Sequence, residues 1–486
     1  MSSKIKKILL ITGGAIVLLI TAATALVLFV DVNAYKPRIE AAASDAIKMD
    51  VKINGRIRIL LFPDFVVSAD RILVKNRSTD LVSIEKIKVG LELRPLLRRE
   101  VRVREFGIIR PALNIELDKT GKYNFETPEK KKPKEEPPSG LLQMDRFYVV
   151  KGDLVYSDNK TGERTEMKDI DMNITDFELS RGQGSDLIKN LRFSGDFKCK
   201  KAKTKNYSVS NIAFPVEGKN GVFTLDPLTM DLFGGSEKGT VTIDITGATP
   251  VYKIRYTASR FRFEKFMESF SSRKVMKGEM DFSLDIASSG KKADEIKKRM
   301  TGEVLLKGDG LTLYNYNLDS ILSKFEQSQS FSLVDAGAFL LAGPLGTALT
   351  KGYDFAGVYA EGKGGEEGYI QKIYSRWKVK NGAADAEDVA LATKQHRIAL
   401  KGRIDFMKER YDNITLALLN DRGCSKFTQN INGPFRNPQV EKVSALRSLV
   451  NPLLSLFGKA KQAVAPDRCE VFYAGSVKHP KQQAAQ

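Results

Sequence analysis

Side chains able to do chemistry are sparse in this sequence. Its 486 residues include two histidines, His396 and His479, and three cysteines, Cys199, Cys424 and Cys469. Two histidines supply little material for a His-based triad or a metal centre, and no CxxC spacing offers paired thiolates to zinc. Carboxylates are the remaining chemistry: Glu166, Asp169 and Asp171 in "EMKDID" lie close enough to share acid–base work. The same spacing is common on the polar side of a strand. A P-loop, a nucleophile elbow and a dinucleotide fingerprint are all absent from the sequence. The residues therefore point away from an enzyme, and away from any metal or organic cofactor.

Charge is the next constraint. The chain carries 78 basic and 59 acidic residues, a formal charge of +19. Such an excess predicts a polyanionic neighbour, either nucleic acid or an anionic lipid surface. The dense clusters are Arg94 to Arg110 and Lys198 to Lys205 ("KCKKAKTK"). Neither is interleaved with stacking aromatics, and no nucleic-acid module signature occurs, so nucleic acid is not expected as a partner. Most of these charges read as solvated faces of strands and turns.

The elements begin with Lys4, Lys6 and Lys7, followed by 23 uncharged residues from Ile8 to Val30. As a helix that run is about 34 Å long, enough to span a bilayer. The lysines before it and Asp31 after it place the amino end in the cytoplasm. A cleaved signal peptide, with "TAATA" (Thr21 to Ala25) as its cleavage site, is the competing reading. Its apolar core would usually be shorter, about 7–15 residues. No second span is expected, because Asp335 and Pro344 interrupt the apolar run from Leu333 to Thr350.

Beyond the span, Asn33 is placed to cap a helix with Pro37 in its first turn. Ile39, Ala42, Ala43, Ala46 and Ile47 share one face of it. "VKINGRIRI" then predicts a hairpin turning at Asn54-Gly55. Period-two alternation follows in Ile57 and Ile59, in Ile87, Val89, Leu91 and Leu93, in Val101 and Val103, and in Leu113, Ile115 and Leu117. A Pro- and charge-rich stretch, residues 128–140, reads as a loop or hinge. Strand patterns then recur about every ten residues, an all-β spacing. Near the end, Val443, Leu446, Val450, Leu453, Leu454 and Phe457 predict an amphipathic helix.

The expected fold is mainly β: one N-terminal transmembrane helix, then an elongated, curled antiparallel β-sheet with short capping helices. The alternation has two meanings. Its apolar side either packs on a second sheet as a sandwich, or lines a groove whose missing layer is supplied by acyl chains.

The chain resembles the AsmA family of bacterial envelope proteins. The resemblance is carried by "DVNAYKPRIEAAASDAIKMDVKINGRIRILLFP" after the span and by "RPALNIELDKTGKYNFE". Farther on it rests on "RMTGEVLLKGDGLTLYNYNLDSIL", "KNGAADAEDVALATKQHRIALKGRIDF" and "INGPFRNPQV". Together these extend over most of residues 1–440. "CEVFYAGSVKHP", Cys469 to Pro480, has no place in the pattern.

The resemblance implies a relationship to chorein-type bridge-like lipid transfer proteins, in which an extended sheet curls into an open apolar groove. Its lining would include Ile57, Ile59, Ile87, Val89, Leu91, Leu93, Val101, Val103, Leu113, Ile115 and Leu117. It implies phospholipid movement between inner and outer membranes, or a scaffold role in outer-membrane protein assembly with envelope protein partners. The organisation expected is a cytoplasmic tail (1–7), a transmembrane helix (8–30) and a chorein-like helix and β-meander (31–127). The linker (128–140), an AsmA-like β-groove with its C-terminal module (141–440), and an amphipathic helix and tail (441–486) complete it. The chain would be anchored in the bacterial inner membrane with its bulk in the periplasm. In that oxidising compartment Cys424 and Cys469, flanking the terminal helix, can form a disulfide and leave Cys199 free.

Overall fold

A computed structural model of the chain describes residues 31–61, 64–76, 79–98, 102–126, 140–181, 187–269, 276–328, 366–441, 444–445 and 469–483. The expected membrane span, most of the linker, Val101 and the expected helix from Val443 to Phe457, apart from Ser444 and Ala445, which form a short strand, lie outside the described residues. Among the described residues no helix is long and apolar enough to cross a membrane. They form a mainly β protein with few short helices, divided into two compact units at Gly221/Val222.

Unit 1 opens with a 3-10 turn, Val32–Tyr35, and the helix α1, Lys36–Ile47. Its strands are β1 (Asp50–Ile53), β2 (Ile57–Leu60), β3 (Phe65–Asn76), β4 (Thr79–Leu91) and β5 (Val103–Leu117). After the short helix α2 (Leu93–Leu97) lies between β4 and β5, the sheet continues with β6 (Gly140–Asp158), β7 (Glu163–Arg181), β8 (Leu191–Lys203) and β9 (Ser208–Lys219). Neighbours from β3 to β9 pair in sequence order, antiparallel except for β5 and β6. Those two run parallel, with Glu105 opposite Arg146 and Leu117 opposite Asp158. A parallel pair needs a long return connection, and the Pro-rich linker supplies it. The linker therefore joins two adjacent strands of one sheet.

The Asn54-Gly55 hairpin does not form. Both β1 and β2 pair with β3, which makes residues 50–60 one bent edge strand. At the bend the Asn54 and Gly55 amides donate to the Arg71 and Asp70 carbonyls at 2.9 Å each. Glycine is needed there because a Cβ would meet the Asp70 carbonyl oxygen at 2.2 Å. Alternation on both sides of Asn-Gly is satisfied equally by a hairpin and by a kink against a third strand.

Left-handed residues recur inside the strands of unit 1. Arg71, Arg110, Lys151, Asp169 and Asn211 all have φ between 48° and 53°. The strand alternation shifts by one residue at these positions, and around Lys151 and Asp169 the β6–β7 register shifts as well, forming bulges. The apolar side of β3 therefore reads Val67, Ala69, then Ile72, Val74, all packed in one cluster with Ile57, Ile84 and Ile87. The backbone N–H released at a bulge is recaptured by a neighbouring strand. Asp171 Oδ1 accepts the Lys151 amide at 2.9 Å, and Asp153 Oδ1 accepts the Asp169 amide at 3.2 Å. Of the three carboxylates considered for acid–base work, Asp171 thus holds a bulge amide, and Asp169 pairs with Lys200 at 3.5 Å. The third, Glu166, pairs with Arg164 at 2.9 Å.

Unit 2 comprises β10 (Val222–Leu232), β11 (Ser236–Asp244), β12 (Val251–Arg262), β13 (Met276–Lys277), β14 (Glu279–Ser289) and β15 (Thr301–Leu313). It continues with β16 (Gly368–Lys380), β17 (Ala383–Thr393), β18 (Arg397–Asp405), β19 (Arg410–Leu419), β20 (Ser425–Pro434), β21 (Gln439–Val440) and β22 (Ser444–Ala445). All its pairings are antiparallel. One apolar side is filled by its own chain: Trp377, Leu391, Ile398, Leu416 and Ile431 are buried together with Phe263 and Met267 of α3 (Phe263–Glu268). Of the later helices, α4 (Ala293–Lys298) precedes β15, while α5 (Leu318–Ser328) adds Leu318 and Leu322 to that core. In neither unit do the described first and last strands pair, so neither sheet closes into a barrel.

The tail unplaced by the sequence covers the other side of unit 2. Tyr473 and Val477 bury Ala390, Ala392, Ala399 and Ala417, all small enough to admit a second layer of backbone. A disulfide joins Cys424 to Cys469, with Cα atoms 5.9 Å apart, and Cys199 is free and buried. Asp388, itself buried, accepts from the Tyr473 hydroxyl at 2.5 Å and from the Ser476 hydroxyl at 2.6 Å. The buried Arg397 guanidinium donates to the Val477 carbonyl at 3.0 Å. Burial beside that cation holds the His479 imidazole below its usual value.

Candidate functional site

The candidate site is the apolar side of unit 1, and cross-strand register builds it. One row runs Ile57, Ala69, Ile87, Ile108, Val149, Met172, Phe197 and Phe214 across β2 to β9. The next runs Ile59, Val67, Val89, Phe106, Phe147, Ile174, Gly195 and Val216. Beyond the bulges a third row continues through Val82, Leu113, Leu154, Met167, Ala202 and Val209. Phe106 stacks on Phe147 with centroids 6.0 Å apart, and Phe197 on Phe214 at 4.8 Å. With strands about 4.8 Å apart, each row of eight extends about 34 Å.

Coverage separates this side from the core of unit 2. Ile57 is buried at the α1 end, but the row members from β4 to β9 are mostly half-buried. Packing between the described elements of unit 1 runs mainly between neighbouring strands and with α1. Among the described residues of unit 1, no second sheet pairs with or closes the one that carries the rows.

At one end β6 begins six residues before its first partner on β5, leaving a notch. A cavity of about 800 Å³ occupies it, lined by Val103, Phe106, Met144 and Phe177. Glu92, Arg102, Gln143, Asp145, Asp176 and Glu178 complete its walls. Apolar floor and charged rim suit an amphiphile: methylenes inside, a polar group outside. Unit 2 has a polar cavity of about 620 Å³ with Lys401, Arg403, Asp385 and Asp412 in its walls. There Arg403 is already held by Asp385 through bonds of 2.7 and 2.9 Å.

The residues singled out from the sequence fall into three groups. Ile57, Ile59, Ile87 and Val89 lie in the two long rows, and Leu113 in the third. Leu91 and Val103 face each other at the notch end, while Ile115 and Leu117 sit opposite Tyr156 and Asp158 at the far end. Leu93 is not on a strand: β4 ends at Leu91, and Leu93 opens α2 with 46% exposure. The "LRPLL" turn, with its proline, stops the alternation there. Sequence reasoning missed Phe106, Phe147, Met172 and Phe197. Their strands alternate too, but the bulges at Lys151 and Asp169 break the period that would have marked them.

Among the described residues, no group of three or more His, Cys, Asp or Glu is placed to hold a metal ion. Comparison with known proteins adds one match. The model of the AsmA family matches residues 2–212 and 139–336. No curated protein matches the chain.

Proposed function

This chain belongs to the AsmA family, and from that premise we propose that it is a lipid-binding protein. In this reading unit 1 takes acyl chains along its half-buried rows, and the polar headgroup stays in water at the sheet edge. Ile8 to Val30 anchors the chain in the bacterial inner membrane, with the amino end cytoplasmic and the bulk in the periplasm. The protein moves phospholipid between inner and outer membranes and so supports outer-membrane biogenesis. No chemical step is assigned to it, and no cofactor.

The observation that carries the reading is the incomplete cover over the rows. A sheet side holding Val89, Phe106, Phe147, Met172 and Phe197 would be buried in a sandwich; here these residues are half-buried. Each methylene laid on them gains about 0.8 kcal/mol, so an acyl chain is a fitting second layer. The Cys424–Cys469 disulfide supports an oxidising compartment.

The test is site-specific photocrosslinking in cells, with the photoreactive residue at Phe147 or Met172. Crosslinks to phospholipid at both positions, and none at Lys198 on the polar side, are expected. Crosslinks to envelope proteins alone would favour the scaffold reading and remove this one.

A further inference from the structure

The helix α1 packs the opposite way from its sequence. Its contacts to the sheet are largely polar, and of its apolar residues only Ala43 packs on the cluster that holds Val51 and Ile53. Asn33 Oδ1 accepts the Ile57 amide at 2.9 Å, Glu40 Oε1 the Ile53 amide at 2.7 Å, and Ser44 Oγ the Val51 amide at 2.8 Å. Lys36 Nζ donates to the Gly55 carbonyl at 2.6 Å. These four residues are spaced so that they form one stripe, and that stripe faces the edge strand. No residue of α1 is buried.

The apolar stripe therefore faces outward. Tyr35, Ile39, Ala42 and Ala46 follow one another at the i, i+4, i+7, i+11 spacing of a helix face and are all exposed, Tyr35 by 49% and Ile39 by 40%. Ile47 adds another exposed apolar side chain at the helix end. Arg38 and Lys48 flank the stripe. In water such a stripe has nothing to gain from exposure. Its position in the chain identifies the cover: only Asp31 separates the 3-10 turn from the uncharged run that ends at Val30.

We propose that α1 lies along the bilayer interface, with Tyr35, Ile39, Ala42 and Ala46 set at the boundary of headgroups and acyl chains. The inference rests on the reading of Ile8 to Val30 as a membrane span. An interfacial helix buries its apolar face several ångströms into that boundary. Tyrosine suits the position because its ring is apolar and its hydroxyl stays wet, and Arg38 reaches up to the phosphates. The helix is also bonded to β1 and β2. It thus fixes the first edge of the unit 1 sheet against the membrane surface, where its rows begin.

The test uses the full-length protein reconstituted in vesicles of equal parts phosphatidylethanolamine and phosphatidylglycerol. Nitroxide labels are attached at Ile39→Cys, Ala42→Cys and Asp45→Cys in separate preparations. The native Cys199 is buried and the other two cysteines are bonded, so the introduced thiol is the reactive one. Labels at 39 and 42 should collide with dissolved oxygen more than with an aqueous nickel chelate, and the label at 45 should show the reverse. Labels at 39 and 42 as open to nickel as that at 45 would overturn the proposal. Alkaline carbonate extraction separates the two ways of failing. Protein stripped from the vesicles removes the anchor and the proposal with it; protein retained with wet labels removes the helix placement alone.

Discussion

The Glu40 carboxylate accepts the backbone amide of Ile53 at 2.7 Å, a side-chain bond from a helix to the outermost strand of a sheet. An edge strand presents unpaired N–H groups that invite pairing with another chain. Here Asn33, Glu40 and Ser44 occupy three of them. The edge is closed by polar side chains, which frees the apolar side of α1 for another partner.

Replacing Glu40 by alanine should leave the Ile53 amide without its acceptor. The expected loss is about 1–2 kcal/mol of stability, with an increase in self-association through the bared edge. Urea denaturation and sedimentation velocity measure the two effects. Glu40→Gln keeps an acceptor and should recover most of both.

Val89 lies in the middle of a row, half-buried and flanked by Val67 and Phe106. Val89→Glu should remove most of the lipid that co-purifies with the protein while the far-ultraviolet circular dichroism stays unchanged, because the position has no covering layer to disrupt. Unchanged lipid content with an intact fold would take acyl chains off this row.

Glu237 gives a pH dependence. It is 2% exposed on β11, opposite Ala258. Burial pushes it from 4.5 to about 7, against a backbone hydrogen bond at Leu232 and with Asp231 adding repulsion. Between those values the folded protein holds a proton that the unfolded chain has released. Stability therefore falls as pH rises through that window, by up to roughly 3 kcal/mol. Thermal melts from pH 5 to pH 8 should show the decline, and Glu237→Gln should flatten it.

The tail clasp is open to a similar test. Tyr473→Phe removes one of the bonds to the buried Asp388 carboxylate, at an expected cost of about 1–3 kcal/mol. Combined with Cys469→Ser, it should release residues 469–483 to protease and lower the melting temperature further. A tail that stays protected would mean that Arg397 and the alanine platform suffice to hold it.

Much of unit 1 is legible in the sequence because β-branched and apolar residues alternate with charges along single strands. Legibility ends where the alternation shifts. Asn211 is a readable type for a left-handed conformation, but Arg71, Arg110 and Lys151 carry no local signal for it. The tail was illegible for a different reason. Asp388 and Tyr473 are 85 residues apart, and no local pattern announces a buried carboxylate waiting for a distant hydroxyl. Asn33 illustrates a third limit: its type suggests a helix cap, yet Asp31 caps the 3-10 turn, the helix has no side-chain cap, and Asn33 binds Ile57 instead. Family resemblance, by contrast, could be read early, since its motifs lie in contiguous stretches such as "RPALNIELDKTGKYNFE".

The central claim is that acyl chains form the second layer over the rows of unit 1. Native mass spectrometry of the full-length protein released from membranes, followed by lipid extraction, tests it most directly. The account predicts bound phospholipid, lost on Val89→Glu while the chain stays folded. A folded protein that carries no phospholipid, even after incubation with liposomes, would contradict it.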